Sequence, residues 1–373
     1  MCCKENMKTI DPAVRRNRAG GDLLIYGLAL LSLVVFILAH SLAGGGSGRL
    51  RTRMHQAAAI MDKARLSLLA CRQEKGLALD PAIDINGTGL IGLRYSSITT
   101  SLGILEAKRT SANPDMAALI VRLLDEAGVK PGDSVAIGAS SSFPALILAA
   151  LSACQALGVK PVFICSLGAS QYGANDPAFT WLDMMDCLRA AGIVDIRPAA
   201  VSIGGDSDAG HNMNPQGRDW LLQGIRSRGL YLLEESDLAA NVAARMRIYG
   251  QAAGRGGIRA FINVGGSWAN MGTDQRVLEI KPGLARFRAI PPAARRGVLF
   301  EMAGRGIPVI HLLYVKGLAK ANGLPWDPSP LPRPGRSPLY AMTPGRSPLF
   351  IAMGIGYLLL TAVGLFLAGR NYS

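Results

Sequence analysis

The sequence predicts an α/β protein with a mostly parallel, doubly wound sheet, flanked by an N-terminal and a C-terminal transmembrane helix. Two observations predict this fold class. Short runs rich in Val and Ile alternate with longer helical segments through the middle of the chain, which is typical of βαβ units. Two uncharged apolar runs, at residues 23–43 and 349–368, each have the ~20 residues that a helix needs to cross the hydrocarbon layer.

The composition is that of a chain with a core and apolar ends. Of its 373 residues, 49% are hydrophobic and only 18% are charged, whereas ~25% is usual for a soluble domain. Mean hydropathy is +0.24. Apolar residues throughout exclude extended disorder, and six cysteines in this length exclude a disulfide scaffold. The net charge of +14 favours an anionic partner.

These signals divide the chain into segments, two of which connect the apolar runs to the central domain. Residues 44–75 are rich in helix formers and predict a stalk helix, and the proline-rich stretch at residues 324–348 predicts an extended linker. The full division is a basic tail at 1–22, a transmembrane helix at 23–43, the stalk at 44–75, the α/β domain at 76–323, the linker at 324–348, a transmembrane helix at 349–368 and a tail at 369–373.

Within the domain, proline at the first helical turn and glycine after the last one mark the helices. They are predicted at residues 114–128, 143–157, 177–191, 215–228, 234–249 and 292–303. Strands are predicted at residues 134–137, 161–165, 193–196, 258–264 and 307–313. Asp176 is expected to cap the third helix.

Basic residues near the apolar runs set the predicted orientation. Arg15, Arg16 and Arg18 precede the first run and Arg370 follows the second, which favours both termini inside by the positive-inside rule. Arg49, Arg51 and Arg53 after the first run argue the other way, but a long domain can be translocated regardless of its own charge, so the tail weighs more. We therefore expect a two-span protein of the bacterial cell membrane with its domain on the outer side. The small residues at 41–43 also resemble a signal-peptide cleavage site, but the length of the run favours an uncleaved anchor.

Polar loops follow three of the predicted strands. In a parallel sheet the carboxyl ends of the strands share one edge, where ligands bind, so these loops are expected to converge. Basic residues 108 and 109, with the hydroxyls before them, would suit a carboxylate or phosphate. The candidate ligand-binding residues are Ser140, Ser141, Ser142, Ser170, Asn175, Asn263, Gly265, Gly266, Ser267, Lys108 and Arg109. The alternative is that these loops only cap helices.

Several chemistries lack their motifs. The chain has no phosphate-binding GxxxxGK[ST], no GxGxxG after a strand and no CxxC or HExxH, so we predict no cofactor and no metal site. Nucleic acid is not an expected partner. Cys154 and Cys165 are interpreted as small buried hydrophobic residues. The acidic loop at residues 204–208 is interpreted as flexible.

A set of short motifs resembles one bacterial family. It comprises GDSVAIG from Gly132, SFPAL from Ser142, GAS from Gly168, GANDP from Gly173, ITTSLG from Ile98, LEAKRT from Leu105 and FINVGG from Phe261. Together they resemble the poly-γ-glutamate system protein family, which is encoded beside poly-γ-glutamate synthesis and export components. The resemblance covers about residues 80–330. It implies membership of that system, with other membrane proteins of the system as partners, but no catalytic residues.

Three functions remain open. The first is a membrane-anchored accessory component of poly-γ-glutamate synthesis or export, whose domain binds the anionic polymer or partner subunits next to membrane lipid. The second is a serine-dependent amide hydrolase or transferase that acts on the polymer, with a nucleophile among residues 140–142 and Lys108, His211 or His311 as base. The third is a scaffold without a ligand.

Overall fold

The computed structural model describes residues 12–235, 237–341 and 348–372; at 12–24, 38–47, 348–351, 353 and 367–372 it describes the backbone alone. The chain divides into two compact units. One is Leu50–Met342, which we call the core domain, and the other combines Met1–Arg49 with Thr343–Ser373.

The core domain is built on a mostly parallel sheet, as predicted. The strands of the domain are β1 (Thr99–Ser101), β2 (Ser134–Ser140), β3 (Lys160–Ser166), β4 (Ala169–Ser170), β5 (Ala200–Ser202), β6 (Ile258–Val264), β7 (Gly283–Leu284) and β8 (Val309–His311). Six of them form a sheet in the order β5-β3-β2-β6-β8-β7, in which only β7 runs antiparallel to its neighbour. Strands β1 and β4 form a separate parallel pair.

Helices cover both faces of the sheet. The helices of the described chain, on the sheet or elsewhere, are α1 (Pro12–Glu74), α2 (Leu105–Ser111), α3 (Asp115–Glu126), α4 (Pro144–Leu157), α5 (Trp181–Ala190), α6 (Pro215–Ser227), α7 (Leu238–Ala253), α8 (Trp268–Met271), α9 (Val298–Gly304), α10 (Val315–Ala321) and α11 (Pro348–Tyr372). Short 3₁₀ turns occur at Asp206–Asp208, Gly254–Gly256, Gln275–Glu279, Ala293–Arg295 and Pro338–Ala341.

The central strand shows why the domain needs helices on both faces. All seven residues of β2 are buried. Val135 and Ile137 belong to the core cluster that includes α3 and α4, whereas Ala136 belongs to the cluster that includes α7 and α9. Because successive side chains of a strand point to opposite faces, a strand that is apolar on both must be covered twice.

The C-terminal part of α1 belongs to the core domain and differs from the expected stalk. Met61, Ala64 and Leu68 are fully buried in the main core cluster. A disulfide joins Cys71 to Cys187 of α5. The adjacent Arg72 Nη2 donates to Asp176 Oδ2 at 2.8 Å. The alanine-rich face of this helix therefore packs against the domain.

The proline-rich segment also packs, up to residue 341, where an extended linker was expected. The carboxylate of Asp115 accepts the Gly335 N–H at 2.8 Å and the Tyr340 hydroxyl at 2.7 Å. Leu339 is fully buried. Arg109 forms two hydrogen bonds with Asp327. These buried and bidentate contacts fix the segment to α2 and α3. The part of the predicted linker at residues 342–347 lies outside the described residues.

Several predicted elements differ from those observed; the last predicted strand, at residues 307–313, is observed only at Val309–His311. Helix α5 begins at Trp181 and not at residue 177, because Thr180 and Asp183 form a capping box. The strand predicted at 193–196 is irregular, and β5 starts at Ala200, after a proline. The helix predicted at 292–303 is a 3₁₀ turn followed by α9, which begins after Gly297. The helix predicted at 234–249 is α7, capped by the Asp237 side chain.

The second unit contains the start of α1 and all of α11. Ser32 Oγ lies 2.7 Å from the Tyr357 hydroxyl. Over the residues that the structure describes, no helix combines the length and apolar character needed to span a membrane. Side chains of the run predicted at 23–43 are described over 25–37 only, and those of the run predicted at 349–368 at 352 and 354–366 only. Residues 1–11 and 373 of the predicted tails lie outside the described residues.

Candidate functional site

The predicted loops converge where the strand order of the sheet reverses. From β2 the chain builds towards β3 and β5 on one side, and β6 and β8 lie on the other. A crevice opens at such a switch point, beyond the carboxyl ends of the two central strands. Ser140 ends β2, and a Cβ placed on Gly265 after β6 would lie 3.2 Å from the Ser140 Cβ. The two loops are therefore in contact.

A cavity of about 250 Å³ lies at this switch point, and we call it the polar crevice. It is lined by Thr100, Ser101, Leu102, Ser140, Ser142, Phe143, Ser166, Gly168, Ser170, Gly205, Asn212, Gly266, Ser267, Trp268 and Leu313. Seven of these residues carry a hydroxyl group, and none is acidic. The walls thus offer hydrogen-bond donors and no negative side chain that would repel an anion.

Three serines in the crevice form one hydrogen-bonded chain. Ser140 Oγ donates to Ser142 Oγ at 2.9 Å, and Ser142 Oγ also accepts the Ser170 backbone N–H at 2.9 Å. Ser141 points elsewhere: it is fully buried, with its Oγ 3.5 Å from the Cys165 Sγ. Of the three consecutive serines, two therefore reach the crevice.

Lys108 of α2 completes this chain from the side. Its Nζ lies 2.8 Å from Ser170 Oγ, within hydrogen-bond distance, and donates to the carbonyl oxygen of Ser142. The same Nζ lies 3.7 Å from the centre of the Phe143 ring. Lys108 is 2% exposed, and burial lowers the pKa of its ammonium group to about 7. A large part of the Lys108 population is therefore a neutral amine near neutral pH.

A second cavity, which we call the apolar cavity, shares a wall with the polar crevice. Its volume is about 500 Å³. It is lined by Leu102, Gly103, Ile104, Glu106, Ala107, Lys108, Phe143, Ser170, Leu313, Tyr314, Val315, Lys316 and Trp326. Leu102, Phe143, Ser170 and Leu313 line both cavities. The Lys108–Ser170 contact therefore lies on their common wall, and Glu106 and Lys316 are the charged residues that share the apolar cavity with it.

Sequence reasoning missed a buried ionic cluster at the same edge. Arg245 Nη2 lies 2.5 Å from Asp208 Oδ2, and both side chains are fully buried. Asp208 Oδ1 accepts the Ser166 hydroxyl at 2.6 Å, and Arg245 donates to Ser202 Oγ at 2.8 Å. The acidic loop predicted to be flexible therefore supplies a buried ion pair. Its cation comes from the buried face of α7, which was recognised only as a helix.

The other predicted site residues hold the loops in place. Asn175 is buried and bonds both the N–H and the carbonyl of Leu93. Asn263 Nδ2 donates to the Gly265 carbonyl at 2.9 Å and to His311 Nδ1 at 2.9 Å. Because the amide can only donate through Nδ2, His311 Nδ1 must accept. These contacts leave both asparagines and the histidine engaged within the protein.

The three candidate bases differ in whether they reach a serine of the crevice. Burial lowers the pKa of His311 to about 4, and His211 is exposed. In the described part of the chain neither histidine is hydrogen-bonded to a serine of the crevice. Lys108 is therefore the base candidate that the fold brings to a serine. Cys154 and Cys165 are buried, which raises the pKa of both thiols to about 12.

Backbone conformation around the crevice is unusual. Tyr172, two residues after Ser170, has φ 61°, and Tyr314 of the apolar cavity also has φ 61°. Residues other than glycine adopt this conformation at a cost, and such positions cluster at functional sites. Gly173 is required by close approach, since a Cβ there would lie 2.8 Å from the Ser142 Cα.

Comparison of the chain with models of known protein families, with curated proteins and with solved structures finds no match. Over the residues described, no group of three His, Cys, Asp or Glu side chains is placed to hold a metal ion.

Proposed function

We propose that this chain is a membrane-anchored accessory component of a bacterial poly-γ-glutamate synthesis or export system, whose core domain binds the anionic polymer or partner subunits. The proposal rests on one structural observation. The cavity at the switch point of the sheet is lined by hydroxyl groups, contains no acidic side chain and lies beside a buried lysine. The sequence resemblance described above supplies the polymer.

The chemistry of the polymer matches these walls. Each γ-linked glutamate carries one free carboxylate, which accepts hydrogen bonds from hydroxyl and amide donors. Ser101 and Asn212 line the polar crevice, and so does Ser267, which follows β6 in the chain. The net charge of +14 over the whole chain would attract a polyanion at long range.

Membrane anchoring forms part of the proposal and rests on the sequence. The runs at 23–43 and 349–368 lack charged residues and have the length of a span. Lipid and the other membrane proteins of the system would then be neighbours of the chain. Arginines at 15, 16, 18 and 370 favour termini inside and a domain outside.

The disulfide supports the outer location. Disulfides persist in extracytoplasmic compartments and are rare in the reducing cytoplasm. Cys71 and Cys187 are paired across 116 residues, and neither would be available to a thiol reagent until reduced. An oxidising environment for the core domain accounts for this pair.

Labelling of intact cells tests the location. Free thiols are first blocked, a membrane-impermeant phosphine then reduces accessible disulfides, and an impermeant maleimide labels the thiols that appear. We expect labelling of the wild type that disappears in the Cys71→Ser, Cys187→Ser double variant. Labelling that requires cell lysis would place the domain in the cytoplasm and overturn this part of the proposal.

Binding is tested with the full chain in detergent micelles and poly-γ-glutamate immobilised on a sensor surface. Affinity is expected to fall as the salt concentration rises, because the Debye screening length shortens, to about 8 Å at 0.15 M. Ser101→Asp places a carboxylate at the crevice wall and should weaken binding severalfold. Ser227→Asp, on the exposed face of α6, adds the same charge elsewhere and serves as the control. Absent or salt-insensitive binding would contradict the proposal.

A further inference from the structure

We propose that Ser170 is the nucleophile and Lys108 the general base of an amide-cleaving site. The inference rests on the proposed function for its substrate, since the amide is taken to be a γ-glutamyl bond of the polymer held in the polar crevice. It selects a serine outside the three consecutive ones that the sequence emphasises.

Ser170 is the serine of the crevice that lies within direct reach of a basic side chain. Ser170 Oγ and Lys108 Nζ lie 2.8 Å apart, within the range at which a base abstracts a proton directly. Ser142 Oγ accepts from two donors and Ser140 donates to it, so neither is paired with a base. Ser141 is buried away from the crevice.

Lys108 can act as a base only when its amine is neutral. The structure shows no carboxylate bonded to its Nζ within the described residues; its partners are the Ser142 carbonyl, the Ser170 hydroxyl and the Phe143 ring. Burial without a counter-ion favours the neutral amine. Such an amine donates one N–H to the Ser142 carbonyl, and its lone pair then accepts the Ser170 O–H. This arrangement orients the lone pair for catalysis.

The surroundings of Ser170 suit a γ-linked glutamate. Ser170 lies on the wall between the polar crevice and the apolar cavity. A γ-linked glutamate carries a free carboxylate and two methylene groups beside its amide, and the two cavities suit these two parts. Gly266 and Ser267 also line the crevice, and their backbone N–H groups have no acceptor within the described part of the chain. They are available to an oxyanion.

The reaction balances without a cofactor. Lys108 takes the Ser170 hydroxyl proton while Oγ bonds to the amide carbonyl carbon, and the proton then passes to the leaving nitrogen as the C–N bond breaks. The result is an ester on Ser170 and a free amine. Water attacks the ester with Lys108 as base, which releases a carboxylate and restores the serine. An amine in place of water would give transfer.

The test uses the full chain in detergent with poly-γ-glutamate oligomers, and measures new amino groups, the mass of the protein and polymer binding. We expect cleavage by the wild type and a loss of at least about a thousandfold in Ser170→Ala, since loss of a general base costs about 10²- to 10⁴-fold and loss of a nucleophilic serine costs more. Ser170→Ala should still bind the polymer. Ser227→Ala on exposed α6 is the matched control and should cleave as the wild type does.

Lys108→Ala separates a base from a merely structural lysine. We expect it to be inactive at neutral pH and to regain cleavage in proportion to added methylamine, which the apolar cavity would admit. Lys160→Met, at the exposed start of β3, is the control. An inactive, folded Lys108→Ala variant that methylamine does not restore would contradict the assigned role.

A fluorophosphonate probe keeps this inference separate from the binding proposal, because it reports on serine activation without the polymer. We expect labelling of the wild type at Ser170 and none in Ser170→Ala. A wild type that binds the polymer but neither cleaves it nor reacts with the probe would overturn the dyad and leave the binding function standing. A wild type that is labelled at Ser170 but does not bind the polymer would overturn only the substrate.

Discussion

Two buried basic side chains lie at the same edge of the sheet, and only one of them has a counter-ion among the described residues. Arg245 is fully buried and faces the carboxylate of Asp208 at 2.5 Å. Lys108 is almost as buried but contacts a carbonyl, a hydroxyl and an aromatic ring. A guanidinium stays charged when buried and therefore needs a partner, whereas an ammonium group can lose its proton instead.

The difference indicates a structural role for Arg245 and a chemical role for Lys108 at this edge of the sheet. Arg245, the paired cation, holds the loop at residues 204–208 in place and donates hydrogen bonds to Ser166 and Ser202. Lys108, which has no counter-ion in the part of the chain that the structure describes, lines the apolar cavity beside Ser170, and Ser170 lines both cavities. A buried charge with a counter-ion is the expected state of an architectural cluster, and a buried lysine without one is the expected state of a reactive group.

The largest effect is expected from Asp208→Asn. This change keeps the shape of the side chain but leaves the Arg245 cation buried and uncompensated, which should lower the free energy of unfolding by about 3–5 kcal/mol. Urea denaturation measures it. Glu234→Gln, in the exposed pair Arg218–Glu234, is the control and should cost less than about 1 kcal/mol. Equal losses of unfolding free energy in the two variants would contradict the structural role assigned to the buried pair.

A pH series probes the lysine in the wild type. The pKa of Lys108 is lowered in the folded state to about 7, so from pH 7 upwards the unfolded chain binds more protons than the folded one, and stability rises with pH. Between pH 7 and pH 9 the contribution is about 2 kcal/mol. The rise should be smaller by that amount in Lys108→Met. Parallel curves for both proteins would show that Lys108 does not lose its proton.

His311 extends the comparison to acid pH. Its pKa is lowered by burial to about 4, so between pH 6.5 and pH 4 the unfolded state binds the extra proton and stability falls as pH falls. The loss between pH 7 and pH 5 should be about 2 kcal/mol and should be absent from His311→Gln. His211→Gln makes the same change at an exposed histidine and is the control.

The smallest effect on stability is expected from Lys108→Met at pH 7. The variant loses hydrogen bonds worth about 1 kcal/mol but also the cost of burying a partly charged group, so the net change should be below about 1 kcal/mol. Thermal unfolding of the full chain measures it. A loss as large as that of Asp208→Asn would make Lys108 an architectural cation as well.

The sheet and the convergence of its loops were predictable because both depend on local patterns. Strands β2, β3 and β6 are continuous apolar runs that follow glycine-terminated helices, and such runs are read directly from the sequence. Parallel strands then place Ser140 and Gly265 at one edge whatever the detailed order. The order itself, and hence the switch point between β2 and β6, required the structure.

The partners within the site were not predictable. Lys108 and Ser170 are 62 residues apart, and the contact exists because β1 pairs with β4. Asp208 lies in a sequence of glycine, serine and aspartate that is typical of a mobile loop, and only the position of α7 turns it into a buried residue. Asp176 was expected to cap a helix; it instead pairs with Arg72 of α1.

The segments on either side of the domain were misjudged for one reason. The α1 residues near Met61 and the chain near Leu339 have compositions that suit a stalk and a linker, yet both are buried. Alanine and proline carry little hydrophobic signal of their own, so a surface that depends on close packing of small residues leaves a weak trace in the sequence.

The disulfide determines how the core domain would bear mechanical load. Cys71 lies near the end of α1, and Cys187 lies on α5, 116 residues later. A pulling force that enters along α1 is passed at Cys71 directly to α5 through a covalent bond. The chain between these two cysteines contains β1, Lys108, β2 and Ser170, and it lies outside this shorter covalent path. Tension on the N-terminal side would therefore not pass through the backbone that joins Lys108 to Ser170, and their spacing would stay unchanged.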